Sequence, residues 1–170
     1  MKKKIKLLKL VSVIIIFLIT FLSLAVMIEI KYGPNLSISR EIEIKIPLFA
    51  KVDYHANHGG ITMDGEALGI VYLTEEQAKN VLNQIKSNEH WRKLPMTDRA
   101  LESAREHCIK ESMIMPIVEN GYWFYLDRYS EAINKYDENE RYEKIRYSKN
   151  YSIAVLDTDK NILYYYELDT

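Results

Sequence analysis

The chain has 170 residues, with 23 Lys and Arg, 24 Asp and Glu, four His and a single cysteine, enough for one compact domain plus an appendage. One cysteine, Cys108, excludes an intrachain disulfide, so a folded domain here depends on its apolar core. Five of the basic residues precede Leu10, and the 18 that remain face 24 acids; a net of −6 with no basic stripe excludes a general attraction for nucleic acid.

Residues 1–9 form a basic tail carrying Lys2, Lys3, Lys4, Lys6 and Lys9. From Leu10 to Ile28 no charge occurs across 19 residues, about 28 Å of helix and close to the hydrocarbon thickness of a bilayer. The spacing predicts a transmembrane anchor over 10–28. The lysines predict an N-terminus in the cytoplasm and a C-terminal domain outside it, in a single-pass protein of the cell membrane. Ser23-Leu24-Ala25 resembles a signal-peptidase site, but the long apolar run and the apolar end that cleavage would leave favour an uncleaved anchor.

Residues 29–37 contain Gly33, Pro34 and Asn35 and read as a stalk, with an extracytoplasmic domain over 38–170. In "EIEIKIPLF", Ile42, Ile44 and Ile46 alternate with charges, which predicts a strand with one wet face ending near Pro47. "ALGIVYL" predicts another strand. "TEEQAKNVLNQIKSN" predicts a helix capped by Thr74, with Gln77 in the capping-box position and a stripe of Ala78, Val81, Leu82 and Ile85. "TDRALESAREHCIKE" predicts a second helix capped by Thr97, with Leu101, Ala104 and Cys108 on one side. Glu119-Asn120-Gly121 suggests a hairpin between two apolar runs, the first at an edge because of Pro116. The charged stretch from Tyr129 to Asn150 reads as a loop or a short surface helix. "YSIAVLD" and "ILYYYELD" predict a hairpin around an Asp- and Asn-rich turn. Ten of the 13 tyrosines follow Gly121, where half-buried rings suit a sheet. The whole predicts an α+β protein: an N-terminal transmembrane helix, then an antiparallel sheet of about five or six strands with one or two helices on one face.

Residues 54–67, "YHANHGGITMDGEA", hold the densest polar chemistry. His55, His58, Asp64 and Glu66, with Asp53 nearby, are candidate ligands for a divalent metal such as zinc or manganese, or acid–base groups of a metal-dependent hydrolase. A three-residue histidine interval converges on one metal only in a helix, and Gly59-Gly60 opposes a helix there. Turns over Asn57–Gly60 and Met63–Gly65 are the favoured reading. Asp157, Asp159 and Asn161 copy the start of a calcium loop, but Ile162 and Leu168 stand where it needs Gly and Glu, so a hairpin turn explains them. His107 and Cys108 are adjacent, about 100° apart on a helix, which opposes a dyad.

"HGGITMDGE", "TEEQAKNVLNQIKSNEHWRKLP", "ENGYWFYLDRYSEA" and "SIAVLDTDKNILYYYELDT" together resemble a family of small, membrane-anchored proteins of Gram-positive bacteria with no assigned activity. The resemblance covers residues 53–170 and implies the architecture, without an enzyme class. Thr62 stands where that family carries a further histidine, a departure that weakens a histidine-ligand reading here. The expected function is a membrane-anchored extracytoplasmic binding or accessory domain, its partners the lipid bilayer through residues 10–28 and a membrane or cell-surface protein. Alternatives are the metal-dependent hydrolase and a membrane-located immunity or inhibitor protein.

Overall fold

The computed structural model describes residues 2–58, 65–105, 115–129, 131–143 and 148–170, without the side chains of 2–11, 29, 30, 58, 141 and 143. The chain forms two compact units, Met1–Gly33 and Pro34–Thr170. Helix α1 (Lys2–Glu41) supplies the first unit and opens the second. In the first unit every side chain described from Ser12 to Ile28 is exposed, including all the large apolar ones. Among the described residues no single helix is long and apolar enough to cross a membrane; Ser12–Ile28 and Lys31–Glu41 reach that only as a pair. Residues 29–37, expected as a stalk, are helical.

The second unit is α+β. Strands β1 (Lys51–His58), β2 (Gly65–Tyr72), β3 (Arg92–Lys93), β4 (Gly121–Asp127), β5 (Tyr151–Asp157) and β6 (Ile162–Asp169) form one antiparallel sheet. Their order across it is β1-β2-β6-β5-β4-β3. Helices α2 (Glu75–Lys86), α3 (Asp98–Ser103) and α4 (Glu140–Glu143) lie in its connections. The strand count matches expectation, but both faces of the sheet are covered. Alternation along β4, β5 and β6 sends Phe124, Ala154, Leu156, Leu163 and Tyr165 to one face, where Ile38 of α1, Ile42 just past its end, and Val81 and Ile85 of α2 pack. Trp123, Tyr125, Ile153, Val155 and Tyr166 go to the other, under Ala100 and Ala104. A sheet with two apolar faces needs two covers.

Helix α2 forms as its sequence dictates: Thr74 Oγ1 accepts from Gln77 N at 3.3 Å, and Thr74 N donates to Gln77 Oε1 at 3.0 Å. Thr97 caps α3 through Ala100 N, and the buried stripe is Ala100, Ser103 and Ala104, while Leu101 stays half-exposed. His107 and Cys108 lie outside the described residues.

Two expected strands do not form. Ile42, Ile44 and Ile46 are buried and Glu43 and Lys45 exposed, as the alternation requires. Yet the segment after α1 pairs with side chains instead of a strand. Gln84 accepts from Lys45 N at 2.8 Å and donates to Lys45 O at 3.1 Å. Ser39 Oγ accepts from Ile46 N, and Trp91 Nε1 donates to Ile42 O. These groups satisfy backbone that a ladder would otherwise serve. The hairpin expected at Asn120-Gly121 is also absent among the described residues: 115–118 is not a strand, and β4 pairs with β3 and β5. Gly121 is required for another reason. Its φ is +152°, and a Cβ there would stand 1.8 Å from Leu156 O.

Candidate functional site

Of the residues that the sequence nominates, His55 lies on β1, a strand that the glycine pair beyond it obscured. His55 is exposed opposite Leu68; Glu66, opposite Asn57, is buried. Partners across a ladder share a face, so His55 and Glu66 stand on one face, two positions apart in register. Glu66 Oε2 accepts from Tyr166 Oη at 3.4 Å, a structural contact inside the second core. The backbone of His58 pairs with Gly65, but its side chain, like all of Asp64, lies outside the described residues. Among the described residues no three His, Cys, Asp or Glu are grouped to hold a metal ion. The Asp157 turn is an Asx turn, with Oδ1 accepting from Asp159 N and Lys160 N, each at 3.0 Å.

The described polar chemistry gathers elsewhere, at the C-terminal end of α1. Leu163 and Tyr165 line one core face of β6, and the same period-2 register continues into Glu167 and Asp169. Arg128, just past β4, answers them. Its Nη1 donates to Glu167 Oε1 at 2.6 Å, and its Nη2 to Asp169 Oδ1 at 2.8 Å and Leu168 O at 3.2 Å. Its Nε stands 3.9 Å from Glu41 Oε2, too far for a hydrogen bond. Burial pushes the carboxyls of Glu41 and Asp169 up, against the pull of Arg128. Burial opposes the charge on Arg128 as well, but Glu167 and Asp169 outweigh it and hold the guanidinium firmly protonated. Tyr165 donates to Glu167 Oε2 at 2.7 Å, and burial with that neighbouring charge keeps its hydroxyl protonated.

Glu43, two residues beyond Glu41, centres a second cluster. Its backbone has φ +58°, the left-handed region that a side chain of this size enters at a cost of about 1–2 kcal/mol. His90 Nδ1 stands 2.8 Å from Oε2, Tyr136 donates to Oε1 at 2.5 Å, and Lys135 Nζ lies 3.6 Å from the same oxygen. The His90 and Tyr136 rings stack with centroids 3.4 Å apart. Burial alone would raise the Glu43 carboxyl, but the Tyr136 and His90 hydrogen bonds, helped by the charges of His90 and Lys135, hold it below its ordinary value.

Between the clusters opens a cleft of about 580 Å³ lined by Arg40, Glu41, Glu43, Arg128, Ile133 and Lys135, among others. Its outer loop is pinned. Asp127 N donates to Lys135 O at 2.6 Å, and the buried Glu140 carboxylate accepts from Ile133 N and Asn134 N. Ile133 is thereby held 85% exposed. Ions of both signs, a fixed apolar knob and an open concavity suit recognition of a polypeptide surface. Sequence reading missed this site because Arg128 and Glu167 lie 39 residues apart; only the turn of the β6 core face from Tyr165 to Glu167 hints at a buried cation.

No protein-family model matches the chain, and neither a curated protein nor a solved structure matches it.

Proposed function

We propose that this is a single-pass membrane-anchored protein whose second unit is an extracytoplasmic binding or accessory domain. The observation that carries this is the run of apolar side chains from Val13 to Ile28, exposed around the whole helix behind a lysine-rich tail. A helix apolar on all sides needs an apolar surrounding, and the lysines set the tail in the cytoplasm. The resemblance to membrane-anchored proteins of Gram-positive bacteria points the same way. The recognition surface is the cleft between Glu41 and Lys135, and its partner is a protein of the membrane or cell surface.

Protease added to intact cells should digest residues 34–170 and spare a membrane-embedded N-terminal fragment. Protection of the domain in intact cells, with digestion only after lysis, overturns the topology. For the cleft, Ile133→Asp should abolish co-purification of the membrane partner that the native chain retains, with the fold unchanged; an unaltered partner overturns the assignment of the surface.

A further inference from the structure

The second unit begins with a clamp. Asn35 is buried, and its Nδ2 donates to three carbonyls, those of Pro47 at 3.0 Å, Leu48 at 3.3 Å and Ala50 at 3.1 Å. One turn further along α1, Ser39 Oγ donates to Asn35 O at 2.6 Å and accepts from Ile46 N at 2.9 Å. The returning chain is therefore fastened to the start of the domain and must turn over Pro47–Ala50, where Ala50 N donates to Pro47 O. The corner of that turn carries Leu48 and Phe49.

These side chains face outward. Phe49 is 78% exposed, and Leu36, beside Asn35 on α1, is 50% exposed. Ala50 is buried and Lys51 opens β1, so exposure of the two large apolar residues is a property of the clamped turn. Next to them, Lys51 faces Tyr72 across the β1–β2 ladder with its Nζ 4.7 Å from the ring centroid. An apolar tip bordered by a tyrosine and a lysine is the composition of a membrane–water interface, where aromatic rings and long cations sit at headgroup level.

Chain length restricts what this tip can meet. Asn35 lies seven residues after Ile28, at most about 25 Å of fully extended chain, so the tip is tethered within reach of the surface at which the apolar run ends. The geometry points to Leu36, Leu48 and Phe49 as a lipid-contacting lip that seats the domain on the bilayer surface beside its anchor. This rests on the anchor reading proposed above. The occupant is the acyl–headgroup boundary of the membrane, with Lys51, whose Nζ also stands 3.7 Å from Asp53 Oδ2, at its border.

Tryptophan placed singly at two positions tests it in the full chain, reconstituted into vesicles of phosphatidylcholine with and without phosphatidylglycerol, their acyl chains brominated. Trp91 and Trp123 are buried and supply the parental baseline. Phe17→Trp reports on the anchor and Phe49→Trp on the lip, and both replace exposed rings, which keeps the fold intact. The expected result is that both added signals fall, that of Phe49→Trp by about half, as for a side chain about 5–10 Å into the interface. Quenching of Phe17→Trp without Phe49→Trp overturns the lip and leaves the anchor standing. Quenching of neither overturns the anchor and the lip with it.

Discussion

Tyr136 donates its hydroxyl hydrogen to Glu43 at 2.5 Å across 93 residues of sequence, tying the loop after β4 to the turn that follows α1. Because hydrogen bonds and charges hold the Glu43 carboxyl below its unfolded value of 4.5, its stabilisation is present above that value and is lost as pH falls through the lowered one. Glu43→Gln should therefore cost about 1 kcal/mol at neutral pH and flatten the loss of stability below about pH 4.5. Urea midpoints of the two proteins measured across the acid range check it. A second comparison isolates the backbone. Glu43→Gly and Glu43→Ala both lose the carboxylate, but glycine relieves the positive φ, so the Gly variant should be the more stable by about 1 kcal/mol.

The three carboxylates around Arg128 should respond unequally. Glu167 makes the 2.6 Å contact, whereas Glu41 stands 3.9 Å away with its carboxyl raised by burial. A raised carboxyl contributes stability below its unfolded value and loses it as pH rises through the folded one. Glu41→Gln should then leave stability at neutral pH unchanged or slightly higher. Arg128→Ala, which strands Glu167 and Asp169 without their cation, should cost about 3 kcal/mol. Thermal unfolding of both variants at neutral pH separates them; a Glu41→Gln loss as large as that of Arg128→Ala overturns the ranking.

What the sequence made legible is local. Thr74, Gln77 and the stripe from Ala78 to Ile85 define α2 within one helix, and two apolar runs around an Asp- and Asn-rich turn define β5 and β6. Alternation placed Ile42, Ile44 and Ile46 inward correctly, yet burial period says nothing of the partner, and here Gln84 and Ser39 replace a strand. Strand β1 carries Val52 and Tyr54 toward the core and Asp53 and His55 away from it, a pattern that the polar density around Gly59-Gly60 concealed. The Arg128 and Glu43 clusters join residues from α1, from the loops after α2 and β4, and from β6. Such assemblies are set by topology, which no local spacing encodes.

Two glycines should differ sharply in tolerance. At Gly121 an added Cβ meets the backbone oxygen of Leu156 and the φ of +152° is itself strained, so Gly121→Ala should cost about 4 kcal/mol or more, the range of severe single substitutions. At Gly69 the Cβ would stand 2.7 Å from Ile38 Cδ1, the far end of a side chain that can rotate. Gly69→Ala should cost about 1–2 kcal/mol, as modest overpacking does, and Gly69→Ala with Ile38→Val should recover part of it. Denaturant midpoints for the three variants check the order.

Asn35 lends the domain a single amide in place of several backbone bonds. Its Nδ2 serves the carbonyls of Pro47, Leu48 and Ala50, and with two hydrogens it shares them over three acceptors. Asn35→Ala leaves these carbonyls to find water or go unpaired, at about 1–3 kcal/mol. Asn35→Asp preserves shape but removes both donors and sets a carboxylate against three carbonyl oxygens, so it should be the more damaging of the two. The local signature is distinctive: amide exchange at Ala50 and Ile46, whose protons are held by Pro47 O and Ser39 Oγ, should accelerate in Asn35→Ala while that at Val155 in the central sheet tracks only the global loss. Equal acceleration at all three would mean that the clamp contributes to global stability alone and does not hold the turn.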